Sequence, residues 1–248
     1  MAYRLIRLTF KRDVYSKPIA SLIATGWAVS VSLASLGSSF AAVISSINML
    51  ALVASLIAMV LSAHAVAGDR DGLLEAYLSA WGRLKYITGR IAANSAVSAL
   101  LVAIISTPYL ALRWEWAPPL GALLASLPSS LIGTAVGISS KERAPLVAIV
   151  VWSAVTLIYD VVVAFLSLIL PLGDEAILAL QVANFFKVAT LLATSLVDPY
   201  LLTLGPLGEF VVLHWGVQWA YSALSSIYAS WTIALILLVV DLGRKADL

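Results

Sequence analysis

The chain contains no cysteine, which removes disulfides, thiolate metal sites and cysteine nucleophiles from consideration. Two histidines and three methionines (His64, His214, Met1, Met49, Met59) are the only imidazole or soft ligands left, a thin supply for a transition metal. Charge is scarce as well. Charged residues make up 11% of the chain, against about 25% in an ordinary soluble domain, so a water-facing surface cannot be covered. The net charge of +2 gives no field for nucleic acid, and no nucleic-acid partner is expected. The chain also lacks a P-loop, an HExxH pair and a GxSxG elbow, and neither histidine belongs to an acid–base constellation. Neither a catalytic residue nor a metal site is expected.

What is present is apolar: 62% hydrophobic residues and a mean hydropathy of +1.01. Apolar runs near the length of about 20 residues that a bilayer requires fall at 18–37, 41–66, 91–112, 119–138, 145–170 and 219–240. The expected fold is all-α, a single polytopic membrane domain over 1–248 with six transmembrane helices. Residues 1–17 read as a basic amphipathic helix on the membrane surface, with Tyr3, Ile6, Phe10 and Val14 as its apolar stripe. Pro128 is expected to kink the fourth span. Residues 171–218 carry short apolar pieces broken by Gly173, Asp198-Pro199, Gly205-Pro206 and Gly208. They read either as an external re-entrant helical hairpin or as a lid lying flat on the membrane. With both termini in the cytoplasm, thirteen of the fifteen Lys and Arg residues fall on the inner side, Arg113 and Lys187 excepted, as the positive-inside rule requires.

Two stretches concentrate the polar chemistry. The segment 68–90, GDRDGLLEAYLSAWGRLKYITGR, has acids early (Asp69, Asp71, Glu75), bases late (Arg83, Lys85, Arg90), and Leu74, Tyr77, Leu78 and Trp81 as an apolar stripe. The charges suit the dipole of a short helix, and such a helix docks on lipid or on a protein. In the fifth span, Asp160 is a mid-membrane carboxylate costing about 2.5–3.5 kcal/mol on insertion scales. It should face the bundle, a partner subunit or water, as a path-lining or contact residue or as a hydrogen-bonded structural one.

The 68–90 segment resembles the cytoplasmic signature of type-2 ATP-binding-cassette (ABC) exporter permeases in Gly72, Leu74, Glu75, Leu78, Arg83 and Gly89, with Arg90 in the place of its closing lysine. Leu73 stands where threonine is usual, and Trp81 near the usual proline. Trp152 with Leu157-Ile158-Tyr159-Asp160, and Asp198-Pro199-Tyr200 with Asp198 in place of asparagine, are similar to the permease of the nitrous-oxide-reductase maturation system. The resemblance implies an exporter subunit in the plasma membrane that forms a homodimer, or a pseudo-homodimer with a related permease, in contact with lipid. It also implies a cytoplasmic ABC ATPase partner that docks on Gly72, Leu74, Glu75, Leu78, Trp81, Arg83 and Arg90. No cofactor is expected in this chain, since ATP and magnesium would belong to that ATPase. Asp160 and Asp198 become candidates for the path or a subunit contact. A proton- or ion-coupled secondary transporter with Asp160 as carrier, and a membrane enzyme or scaffold without transport, remain the other readings.

Overall fold

The computed structural model describes residues 2–37, 39–69, 74–204 and 206–246. Its elements are α1 (Ala2–Thr9) with a π-helical turn (Phe10–Val14), α2 (Lys17–Ser35), α3 (Phe40–Asp69), α4 (Leu74–Trp81), α5 (Arg83–Arg113), α6 (Ala117–Ser140), α7 (Ala144–Ser153), a second π-helical turn (Ala154–Ile158), α8 (Tyr159–Ile169), α9 (Asp174–Val182), α10 (Phe185–Thr194), α11 (Pro206–Trp215) and α12 (Val217–Lys245). No strand occurs among the described residues. Five helical stretches are long and apolar enough to cross a membrane, or six if the bent pair α9–α10 is counted as one. This is the make-up of a multi-pass membrane protein.

The bundle is built around α3. Seven consecutive residues, Ile57 to Ala63, are buried, so no face of this helix is left to solvent or lipid there. Its closest partner, α6, runs parallel to it: Gly121 meets Ile47, Gly133 meets Met59, and Gly137 meets Ala63 and Val66. At Gly133 a side chain has no room, since a Cβ would stand 2.2 Å from the Met59 carbonyl oxygen. Close backbone approach through small residues is how helices associate where no hydrophobic effect separates protein from lipid. The α5 helix crosses antiparallel to α3, with Asn94 Nδ2 2.9 Å from Thr134 Oγ1 on α6 and the Ser62, Ser98 and Ser106 hydroxyls buried along the same seam. After α6 the chain doubles back at Lys141 (φ 50°), and Trp152 Nε1 on α7 donates to Ser55 Oγ at 2.9 Å.

Two expectations change in detail. Of the apolar stripe on the N-terminal helix, Val14 is buried and Ile6 and Phe10 pack against the core, while Tyr3 is 74% exposed; Leu5, Thr9 and Asp13 are buried as well, and a polar partner on α5, described below, selects that face. The α3 helix continues through Asp69, and α5 begins at Arg83 after a break at Gly82 (φ 76°). The 68–90 segment is therefore the end of one long helix, a two-turn helix, and the start of another. Pro128 lies inside α6, which continues past it to Ser140.

Residues 171–218 are helical where expected, with α9 and α10 bent by 104°. A break within an apolar bundle must find partners for its freed carbonyls. Here Tyr159 Oη donates to the Leu180 carbonyl at 2.5 Å, and Trp231 Nε1 to the Val182 carbonyl at 3.0 Å. Asn184, which caps α10, donates in turn from Nδ2 to the Val155 carbonyl at 2.6 Å, inside the π-helical turn of the fifth span.

Gly133→Ala should destabilise the protein by about 1–3 kcal/mol, because neither backbone can yield, whereas Gly173→Ala, which meets nothing within 4 Å, should be near neutral. Thermal unfolding of the two variants in detergent checks this; equal melting temperatures would contradict the close packing of α3 on α6.

Candidate functional site

At the end of the bundle where α3 stops, two arginines and two aspartates form a closed cluster. Asp69 and Asp13 are fully buried, and Arg90 is 1% exposed. Arg90 holds Asp69 through two bonds, Nε to Oδ2 at 2.7 Å and Nη2 to Oδ1 at 2.6 Å. Arg12 reaches Asp69 Oδ1 at 3.1 Å and Asp13 through Nε at 2.6 Å. Both guanidinium groups also donate to the Ala65 carbonyl, at 2.8 and 2.9 Å. Tyr86 Oη donates to Asp69 Oδ2 at 2.7 Å, and Arg90 Nη1 donates to Thr9 Oγ1. His64 Nε2 stands 4.0 Å from Asp13, which accounts for this histidine at the end of the span. Burial opposes the Arg12 charge, but the bonds and charges of Asp13 and Asp69 outweigh it and raise its pKa. The cluster joins the N-terminal helix, α3 and α5. Gly68 is part of the fit, since a Cβ there would lie 3.1 Å from the Arg12 guanidinium carbon.

Beside this cluster sits α4. Leu74 is buried with Val66, Tyr86, Ile87 and Leu131, and Tyr77 and Leu78 pack against the same group. Trp81 stacks on Tyr77 with ring centroids 4.9 Å apart, and Tyr77 lies over Tyr86 at 6.1 Å. Partial burial and the Asp69 charge raise the Tyr77 pKa. The opposite face, with Glu75, Ala76, Ser79 and Ala80, is exposed.

The two ends differ in charge. At the other end, Asp160 on α8 pairs with Lys187 on α10, Nζ to Oδ2 at 2.5 Å. Asp198 is 3% exposed and accepts from the Thr203 amide (2.8 Å) and hydroxyl (2.9 Å), closing a turn. No family model matches the chain, and no curated protein matches it.

Of the residues singled out in the sequence, Leu74, Glu75, Leu78 and Trp81 share α4, and Arg83, on the first turn of α5, donates to the Arg244 carbonyl at 2.8 Å near the C-terminus. Gly72 lies outside the described residues. Arg90 does not face outward; it is the inner anchor of the charge cluster. Asp160 and Asp198 belong to the opposite end and do not touch each other's partners. The cluster itself escaped the sequence reading, as did Lys187 and Asn184. A signal existed: Asp69 ends one otherwise uncharged apolar stretch, and Arg90 begins the next.

Removing one member of a buried pair strands the other charge, at about 3–5 kcal/mol. Asp69→Asn should cost in that range, whereas Asp241→Asn should cost under about 0.5 kcal/mol, because its pair with Lys245 is more than half exposed on both sides. Urea unfolding of the detergent-solubilised variants measures both; similar losses would mean that the cluster contributes no more than a surface pair.

Proposed function

We propose that this chain is the membrane subunit of an ATP-driven exporter of the type-2 ABC class, working as a dimer with separate cytoplasmic ATPase chains. The observation that carries the reading is the mounting of α4. Its inner face is held by Leu74, Tyr77 and Leu78 over the start of α5, within an apolar cluster that extends to α3, α6 and α12, and its outer face presents Glu75 and an edge of Trp81. A helix held in this way cannot be pushed without moving the helices beneath it, and the charge cluster extends that connection to α3 and the N-terminal helix. A helix resting on lipid would need no such anchorage.

In this reading the α4 end is cytoplasmic and the termini are inside; the chain has six spans because Ala117–Ile169, which doubles back at Lys141, counts as two, and the bent α9–α10 pair is a re-entrant hairpin at the external side. Single cysteines at 114 and 174 should then label with an impermeant thiol reagent from outside intact cells, and those at 79 and 142 should not. The reverse pattern would overturn the orientation and, with it, the docking role of α4.

Glu75→Ala combined with Trp81→Ala should abolish recovery of a P-loop ATPase when the protein is captured from mildly solubilised native membranes. Interfaces of this kind concentrate their energy in a few anchors, tryptophan prominent among them. The variant should still insert, since α4 lies outside every apolar stretch. If the unmodified protein captures no such ATPase, the exporter reading fails. A proton- or ion-coupled transporter would then be favoured by the Asp160–Lys187 pair, and proton-driven uptake in vesicles lost in Asp160→Asn would identify it.

A further inference from the structure

Facing the Asp160–Lys187 pair, a cavity of about 390 Å³ opens between α3, α9, α10 and the turn at Thr203. Its size falls within the range of small-ligand sites, roughly 300–1,000 Å³, and its wall is unusual for so apolar a chain. Along α10, Lys187, Thr190 and Thr194 line one face at helical spacing; across from them stand Asn48 of α3 and Gln181 of α9, with Thr203 at the rim. Thr194 is 5% exposed, and among the described residues its hydroxyl has no protein partner, nor have the Asn48 and Gln181 amides. Asn48 is exposed and Gln181 half-buried, while Thr194 is enclosed by apolar helices, where polar groups without partners mark ligand or ion pathways.

The charge of the wall is one-sided. Among the described residues Lys187 is the only ionised one in it, and its partner Asp160 is not part of the wall. An ammonium has three N–H donors; Asp160 takes one, leaving two. Those two, the two amide NH2 groups and the Thr194 hydroxyl make a set of donors matched to a group rich in acceptor oxygens.

We propose that this cavity binds the oxyanion of a phosphate ester, with Lys187 as its charged contact, Thr194, Asn48 and Gln181 as hydrogen-bond donors, and Asp160 as an internal competitor. In the empty site the Asp160 carboxylate occupies Lys187; a bound phosphate shares or takes over that ammonium and loosens the pair. Ligand binding is thereby linked to the fifth span, because Asp160 lies two residues beyond its π-helical turn. The site needs no ATPase, so its test is separate from that of the exporter reading.

The competition gives the test its sign. Purified full-length chain in uncharged detergent is titrated calorimetrically with inorganic phosphate, glycerol 3-phosphate and a short-chain phosphatidylglycerol below its micelle concentration. Saturable binding of at least one probe is expected. Lys187→Met should weaken it about tenfold or more, as loss of a charge-assisted contact does, and Thr194→Val by about three- to tenfold. Asp160→Asn should tighten it about threefold, the order of an exposed ion pair. Thr194→Val removes a hydroxyl with no protein partner, so folding is not in question there even if Lys187→Met misfolds. Binding of the soluble phosphates assigns a free ligand, and binding of the lipid alone assigns a headgroup; either supports the site. Three results would each overturn it: no saturable binding of any probe, Thr194→Val binding as tightly as the unmodified chain, or weaker binding in Asp160→Asn.

Discussion

Asp69 sits where an apolar helix of thirty residues ends, and an uncompensated carboxylate there would be expelled from the bundle. Instead it collects Arg12, Arg90 and Tyr86. Each of those comes with its own requirements. Arg90 carries the first turns of α5 inward and fixes where the third apolar stretch begins. Arg12 brings Asp13 and the N-terminal helix, and needs Gly68 to be bare. Tyr86 forms the floor on which Tyr77, and through it Trp81, is stacked. The position of the exposed face of α4 is thus set by a carboxylate that no partner would ever touch.

A second constraint governs the other end, where the chain bends within apolar surroundings. Tyr159, Trp231 and Asn184 supply donors to carbonyls that helix geometry leaves open at Leu180, Val182 and Val155. The fifth stretch, the α9–α10 bend and α12 are joined by these side-chain-to-backbone bonds as firmly as α3 and α6 are by glycine contact. The aromatic residues here serve as donors first and as bulk second.

Length and apolarity made the long helices legible, because runs such as 41–66 and 219–240 have no other stable form in a chain with so little charge. The polar segment 68–90 was legible as a place but not as a shape. Gly82 looked like any loop glycine, and nothing local to Arg83–Arg90 distinguishes a loop helix from the start of α5. The buried face of the N-terminal helix was legible only in part: Ile6, Phe10 and Val14 pack inward as the apolar stripe suggests, but Thr9 and Asp13 are polar, and only their partners on α3 and α5 turn them in. Pairing across twenty-one residues, as between Asp69 and Arg90, or across twenty-seven, as between Asp160 and Lys187, is a property of the folded bundle and leaves no periodic mark.

The π-helical turn at Ala154–Ile158 amounts to one extra residue inserted into a helix, and it has a consequence for how this region tolerates changes in length. The wide turn takes up that residue within one revolution, so the side chains beyond it keep the phase they would have in a regular helix one residue shorter. Losing that residue would leave Tyr159 and Asp160 turned toward the Leu180 carbonyl and Lys187, but would close the carbonyl at Val155 that Asn184 meets. A further residue that the turn did not absorb would swing every side chain beyond it by about 100°. Insertions and deletions in the loops change only reach; here one residue decides which way half a helix looks.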